Sequence, residues 1–171
     1  MPGPLIPVPG GSYGLGWFLL DRQGGSSVEH PGSAAGYQSL LVVVPDTQLV
    51  FAALTNSSRG NAAIRDVLQA LGLAQTSPPP VELSTDELDR FTGRYEGQGI
   101  RIAVSQSDGG LDLELAEFNP FTNESASYPP VRAHSVGGRE FEVSSGEWAG
   151  DRFDFPRDGF VRTYVLAQRV E

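Results

Sequence analysis

The chain has 171 residues, of which 39% are hydrophobic and 19% are charged, so it carries enough apolar material for a folded core. Its formal net charge of −9 argues against nucleic acid or an anionic membrane as the main partner, because both bind cationic surfaces. There is no cysteine and no lysine, and all twelve basic residues are arginine. Disulfides, thiolate nucleophiles, cysteine zinc sites and mechanisms that use a lysine amine are therefore excluded.

Two histidines, His30 and His134, are the side chains that titrate near neutrality when unperturbed. They lie far apart and lack the spacing of a metal-binding pair, so we expect no metal and no cofactor. No segment reaches the roughly 20 apolar residues of a membrane span. The first residues have no basic start of a signal peptide, which predicts no leader and leaves the cellular compartment open.

The first part of the chain predicts a lead-in followed by strands. Residues 1–12 carry four prolines, which favours an extended, poorly ordered segment. The aromatic and aliphatic run at 14–20 predicts a strand, and 26–29 predicts a short strand that Pro31 and Gly32 interrupt.

A hairpin and a helix are predicted next. The apolar runs 37–44 and 49–55 are joined by a tight Pro-Asp-Thr connector, which predicts an antiparallel hairpin covered on both faces. In residues 61–71, apolar side chains recur at helical spacing and form one stripe. Residues 13–73 are therefore predicted to form a partial antiparallel sheet with a C-terminal helix.

The Pro-rich segment 74–82 is predicted to be a linker, because three consecutive prolines favour a stiff, extended spacer. Residues 83–171 open with Ser84 and Glu87 at capping-box spacing. Seven short strand-like runs follow, separated by turn residues, and they predict a small all-β barrel. The predicted fold class for the whole chain is α+β.

His30 is the main candidate for chemistry. In the Glu-His-Pro-Gly-Ser segment it is either a polar group at the lip of a sheet, with Gly32 admitting a ligand, or a turn histidine that bonds its own loop. For His134 and for the carboxylates at Asp112, Glu114 and Glu117, a surface role is the simpler interpretation. The aromatic residues of the second half either fill the barrel or line a ligand pocket. They are Phe91, Tyr95, Phe118, Phe121, Phe141, Trp148, Phe153, Phe155 and Tyr164. No Gly-x-Ser-x-Gly elbow is present.

Four ordered motifs resemble the last part of the serine β-lactamase and penicillin-binding-protein-like hydrolases. They are Tyr13-Gly-Leu-Gly-Trp17, His30-Pro-Gly32, Gly36-Tyr-Gln-Ser-Leu-Leu41 and Val50-Phe-Ala-Ala-Leu-Thr-Asn56. The resemblance is to the branch with class C β-lactamases, D-aminopeptidases and related esterases. The run from Leu88 to Glu96 resembles the opening of the lipocalin-like β-barrel that follows many of these enzymes.

The family's catalytic machinery combines S-x-x-K, Y-x-N or S-x-N, and K-T-G or H-x-G. The resemblance reaches only the third element here. It implies that His30, Pro31 and Gly32 line the cleft and that the Ser33 backbone N–H is an oxyanion-hole donor. Pro31 replaces a small hydroxyl residue and removes one possible hydrogen bond to substrate.

The resemblance therefore implies the C-terminal fragment of a serine hydrolase that acts on amides or esters. We expect it to be inactive alone, because S-x-x-K is missing, and a small acyl substrate is expected only for the complete enzyme. The alternative is a binding module whose barrel holds a small ligand or a partner. A third hypothesis is completion of an active site in trans. Self-association through the exposed sheet is also predicted. The family is usually exported.

Overall fold

The structure is a computed structural model that describes residues 5–34, 37–57, 60–97, 99–118, 125–146, 148–162 and 166–170, with only the backbone of 33 and 34. The chain divides into two compact units, Met1–Ser77 and Pro78–Glu171. The division falls within the Pro-rich segment at 74–82.

The first unit is a six-stranded antiparallel sheet in which every strand pairs with its neighbour in the sequence. A 3-10 turn at Pro45–Thr47 connects the last two strands. The strands are β1 (Ile6–Val8), β2 (Gly11–Gly14), β3 (Trp17–Arg22), β4 (Gly25–Ala34), β5 (Tyr37–Val44) and β6 (Leu49–Thr55).

Helix α1 (Gly60–Ala70) covers one face of this sheet. Its buried side chains Ile64 and Leu68 pack with Val42 and Val44 of β5. Val67 and Leu71, which the helical stripe also contains, are each 47% exposed. The opposite face of the sheet carries Val50 and Leu54, which are 66% and 87% exposed. The prediction that β6 is covered on both faces is therefore wrong, because α1 shields one face only.

The predicted α+β class is wrong, because strands make up 58% of the structure and helix only 13%. The first unit also has more strands than expected. Residues predicted as a lead-in form the hairpin of β1 and β2, where Ile6 pairs with Tyr13. Pro7 lies on the edge strand, where a missing N–H is tolerated. Gly10 adopts the positive φ of +74° that the turn requires.

Strand β4 is longer than the short strand predicted at 26–29. It continues through Pro31 and Gly32, which pair with Leu40 and Ser39 of β5. The expected interruption is absent because β5 continues alongside and supplies a pairing partner at each of these positions.

The second unit is a closed eight-stranded barrel with one short additional strand. Strand β9 pairs with both β8 and β11, which closes the ring. The short strand β10 pairs with the C-terminal residues of β9, beyond the part that pairs with β11. The strands are β7 (Gly93–Gly97), β8 (Ile100–Ser107), β9 (Gly110–Phe118), β10 (Ser125–Ser127), β11 (Val131–Gly137), β12 (Glu140–Val143), β13 (Arg152–Arg157), β14 (Phe160–Arg162) and β15 (Leu166–Arg169).

Helix α2 (Thr85–Asp89) precedes the barrel and begins with the predicted capping box. The Glu87 carboxylate accepts a hydrogen bond from the Ser84 backbone N–H at 2.8 Å, and the Ser84 hydroxyl accepts one from the Glu87 N–H. Phe91, Phe141, Phe153 and Phe155 are buried together inside the barrel. Five pairs of these rings have centroids 4.6 to 5.9 Å apart. Aromatic side chains thus fill the barrel interior that the structure describes, while Phe121 and Tyr164 lie outside the described residues.

In the described part of the chain, no helix is long and apolar enough to cross a membrane. Over the same residues, no group of three or more histidine, aspartate or glutamate side chains is arranged to hold a metal ion.

Candidate functional site

The candidate site is built on strand β4, where successive side chains leave opposite faces of the sheet. His30 is exposed and pairs with Leu41 of β5, while its neighbour Glu29 is only 2% exposed. His30 therefore lies within a strand and not in a turn. Of the two interpretations offered by the sequence, the turn histidine is excluded, and the ligand-facing role stays a prediction for a histidine that lies within β4 and not at a lip between two strands.

Two aromatic rings flank the imidazole of His30. The Trp17 ring meets it edge-on with centroids 6.2 Å apart, and the Phe18 ring lies 6.4 Å away at a tilt of 60°. Both rings belong to β3, the strand next to β4. Edge-to-face packing of this kind limits the orientations open to an exposed side chain.

Gly32 lies directly opposite Ser39 of β5. A Cβ added at Gly32 would come within 2.4 Å of the Ser39 Oγ, and that hydroxyl donates a hydrogen bond to the Gly32 carbonyl at 3.5 Å. Because glycine has no side chain, the space next to the Ser39 hydroxyl on this face of β4 stays open.

An open depression of about 610 Å³ lies on the sheet at this point. Apolar and polar groups both contribute to its surface. It is lined by Gly32, Tyr37, Gln38, Ser39, Leu54, Thr55 and Asn56. The glycine of the predicted H-x-G motif therefore forms part of a concave surface, which is where a ligand can be held.

A buried ion pair holds β4 from its other side. The Arg22 Nε and Nη2 atoms donate to the two Glu29 carboxylate oxygens at 2.5 and 2.6 Å, and Arg22 Nη1 donates to the Leu73 carbonyl at 2.8 Å. The Ser27 hydroxyl donates to the Glu29 carboxylate, and its oxygen lies 3.2 Å from the Leu20 carbonyl oxygen. This network joins β3, β4 and the segment after α1.

Sequence reasoning missed Arg22 and Glu29. Strand alternation was the available signal, since a glutamate next to an exposed histidine in a strand must face the other side. Because the predicted strand ended at residue 29, His30 was not included in it and the alternation between Glu29 and His30 was not recognised.

The structure places His30, Pro31 and Gly32 consecutively on β4, and the Ser33 backbone pairs with Gln38. The Ser33 side chain and Gly36 of the third sequence motif lie outside the described residues. These placements leave the catalytic assignment of the four residues as a prediction.

The other sequence candidates lie in the second unit. The Nδ1 atom of His134 is 2.9 Å from the Ser144 Oγ. The Asp112 carboxylate accepts a hydrogen bond from Arg132 Nε at 3.0 Å, and this hydrogen bond is the main reason that the pKa of Asp112 is lowered. Asp112 is thus engaged in an ion pair, and Glu114 on the same strand is exposed.

The family model described as beta-lactamase matches residues 3–75. Residues 3–75 are β-lactamase-like. The match ends inside the Pro-rich segment and includes β4, the depression and the Arg22–Glu29 pair. We call residues 3–75 the β-lactamase-like segment.

The chain is also similar to penicillin-binding protein 4 of Amycolatopsis lactamdurans, with 30% identity over 94 residues. That alignment covers 51% of this chain and 25% of the relative, so the chain spans about a quarter of the relative's length.

Two solved structures share the fold of this chain. The crystal structure of SurE with D-Leu matches with a TM-score of 0.58 at 19% identity, and the crystal structure of SurE matches with 0.55 at 21%. Each comparison covers 98% of this chain but only 42% and 41% of SurE, respectively.

Proposed function

We propose that the β-lactamase-like segment supplies the H-x-G strand of an acyl-transfer site of the serine hydrolase type. The observation that carries this proposal is the position of Gly32 in the wall of an open depression, on a strand that presents His30 to solvent. The β-lactamase match over residues 3–75 and the similarity to a penicillin-binding protein support the reaction class.

Each residue has a distinct role in this proposal. His30 lines the side of the cleft where the substrate carboxylate or leaving group lies. Gly32 lets the substrate approach the strand closely, and the Ser33 backbone N–H stabilises negative charge on the acyl oxygen. Pro31 has no N–H, so it cannot donate a hydrogen bond to substrate at its own position.

We further propose that the chain does not turn over acyl substrates by itself. A serine nucleophile needs an adjacent base, and the S-x-x-K arrangement cannot occur in a sequence without lysine. The strand then acts only together with a nucleophile from elsewhere, either from more of the same protein or, in trans, from a second polypeptide.

Labelling with a fluorescent penicillin and hydrolysis of a p-nitrophenyl ester test this second part. We expect neither reaction with the purified chain, and no change in a His30→Ala variant. Covalent labelling or ester turnover by the chain, retained through purification and lost in H30A, would refute it.

Ligand binding tests the first part without requiring turnover. D-Leu is present in the SurE crystal structure, and D-leucine is therefore a suitable probe. We expect D-leucine to shift the backbone amide resonances of Gly32 and Ser39 more than L-leucine does. Equal or absent shifts for both enantiomers would count against this depression as a substrate site.

The alternative of a ligand-binding barrel has weaker support. Phe141 and Phe155 are almost fully buried, and they occupy the interior that a ligand would need. We also propose that residues 83–171 are lipocalin-like. This proposal rests on the Gly-Arg-Tyr sequence at the start of the unit and on the closed barrel.

A further inference from the structure

Two arginines of the barrel unit lie within 4 Å of a single carboxylate, and a third, Arg169, donates its backbone N–H to the carbonyl of the neighbouring Gly159 at 2.7 Å. The Arg139 Nη2 atom lies 2.6 Å from the Asp158 Oδ1, and the Arg90 Nη2 atom lies 3.9 Å from the same oxygen. Arg169 is the third arginine close enough to lower the pKa of Asp158, after Arg139 and Arg90. Asp158 sits in the turn between β13 and β14, and its side chain is 76% exposed.

Arg139 and Arg169 are held in place by groups other than Asp158. Arg139 Nε donates to the Phe155 carbonyl at 2.5 Å, and its guanidinium lies 5.5 Å from the centre of the Phe91 ring. Arg169 Nη2 donates to the Arg90 carbonyl at 2.7 Å and to the Tyr95 hydroxyl at 2.9 Å. Such anchoring lowers the entropic cost of binding an anion.

Arg169 also has an unused donor. Its Nε is buried and has no hydrogen-bond partner among the described residues. Folded proteins rarely bury a donor without an acceptor, because the lost hydration is not replaced, so the Arg169 guanidinium keeps an unmet hydrogen bond. The three guanidinium groups together exceed the one carboxylate by two positive charges, in a chain whose net charge is −9.

We propose that Arg90, Arg139 and Arg169 form a binding site for a dianionic oxyanion, with the charge and geometry of a phosphate group. A phosphate group carries about 1.5 to 2 negative charges at pH 7 and accepts bidentate hydrogen bonds from arginine. Asp158 occupies the cluster as an exposed internal anion, and the ligand competes with it. A monocarboxylate carries one negative charge and therefore balances only half of the excess of two positive charges. The site lies in the barrel unit and does not depend on the proposed acyl-transfer function.

Titration of the full chain with inorganic phosphate, followed through the backbone amides of Asp158 and Gly159 at low salt, tests the proposal. Arg90→Gln removes an arginine whose side chain is 60% exposed, so the fold is kept. We expect phosphate affinity to fall about 10-fold in R90Q, and more in Arg139→Gln. Asp158→Asn removes the competing carboxylate, and we expect several-fold tighter binding.

Arg101→Gln is the matched control, because Arg101 is an exposed barrel arginine paired with Glu96 at 3.0 Å. Its removal changes the net charge equally but should leave phosphate affinity unchanged. Acetate should bind at least several-fold more weakly than phosphate. Phenyl phosphate distinguishes the source of the group, since binding as tight as that of phosphate indicates a phosphate ester and binding of phosphate alone indicates the free ion. The proposal fails if phosphate causes no shifts, if acetate matches phosphate, or if R101Q weakens binding as much as R90Q.

Discussion

Arg22 donates two hydrogen bonds to the Glu29 carboxylate on the face of β4 opposite to His30. Both side chains are buried, with exposures of 8% and 3%. Because Arg22 also bonds the Leu73 carbonyl, one guanidinium connects the back of the candidate site to the chain segment that follows α1. The strand that presents His30 is therefore anchored by charge as well as by its backbone ladder.

Removing one partner of this ion pair should be costly. Glu29→Gln leaves the Arg22 charge buried without a carboxylate, and such losses reach about 3–5 kcal/mol. We expect the free energy of unfolding of the six-stranded unit to fall by about 3 kcal/mol. Urea unfolding in a Trp148→Phe background, where Trp17 reports on this unit, measures it. Asp21→Asn, on an exposed side chain of β3, is the control and should change stability by less than about 0.5 kcal/mol. An E29Q effect as small as that of D21N would contradict the assigned role.

Gly32 and Ser39 should be energetically coupled. Gly32→Ala places a methyl group 2.4 Å from the Ser39 Oγ, so the hydroxyl must rotate away and give up its hydrogen bond to the Gly32 carbonyl, at a cost of about 0.5–1.5 kcal/mol. In the double variant with Ser39→Ala, the nearest remaining Ser39 atom is the Cβ at 3.8 Å, so most of the loss should be recovered. A double-mutant cycle by urea unfolding measures this coupling. Additive effects of the two substitutions would show that the hydroxyl is not what requires glycine.

Acid should weaken the Asp112–Arg132 pair. The Arg132 hydrogen bond lowers the pKa of Asp112 below its ordinary value of about 3.9. Its contribution to stability is therefore present above about pH 4 and is lost as the pH falls through the lower folded-state pKa. In Arg132→Gln the pKa of Asp112 should rise, as measured by NMR titration of its side-chain carboxyl carbon. The Arg101→Gln variant should leave that titration unchanged, and a similar rise in both variants would contradict the pairing.

Hydrophobic dye binding separates a packed barrel from a ligand-binding one. Phe153→Ala removes a buried ring and should cost about 3–5 kcal/mol while opening a cavity. For a packed barrel, the native chain binds no dye and the variant gains saturable binding. For a ligand-binding barrel, the native chain binds the dye and the variant binds it less well. Fluorescence titration measures both, and the second result would favour the alternative function.

The uncovered face of the six-stranded sheet is proposed to drive self-association. Val50 and Leu54 both lie on it, and exposed apolar strands of this type favour pairing between molecules. We expect light scattering to detect oligomers of the native chain and a shift toward monomer in a Val50→Glu, Leu54→Glu variant. Leu166→Glu, on a half-exposed barrel residue, should have no effect. A native chain that stays monomeric at high concentration would contradict the proposal.

Local sequence signals predicted several elements correctly. Helical periodicity located α1, the Pro-Asp-Thr connector located the β5–β6 hairpin, and the spacing of Ser84 and Glu87 predicted the capping box. The connections from β8 to β9 and from β13 to β14 each contain an Asp-Gly pair, which is typical of tight hairpin turns. In each case the interaction joins residues that are close in the sequence, so the pattern contains both partners.

Features that depend on distant partners were not predicted. Pro7 contributed to the prediction of a poorly ordered lead-in, and Pro31 to the prediction of an interrupted strand. Both residues belong to strands, because a neighbouring strand supplies the pairing. The contact from Arg22 to the Leu73 carbonyl joins residues that are separated by three strands and a helix, and no local pattern indicates it. The candidate site has the same limit, since Gly32 and Ser39 meet only when β4 and β5 pair.

The two units differ in whether their strands are paired on both sides. Each of the eight barrel strands pairs on both sides, whereas β6 forms one border of the six-stranded sheet in the described part of the chain. This border is seven residues long, contains neither proline nor a charged residue, and includes Leu54 and Thr55 of the depression. An extended peptide that docked there would add a seventh strand next to the candidate cleft. In the described part of the chain, the six-stranded sheet therefore presents an unpaired backbone edge beside the depression, whereas each strand of the closed ring already has two neighbours.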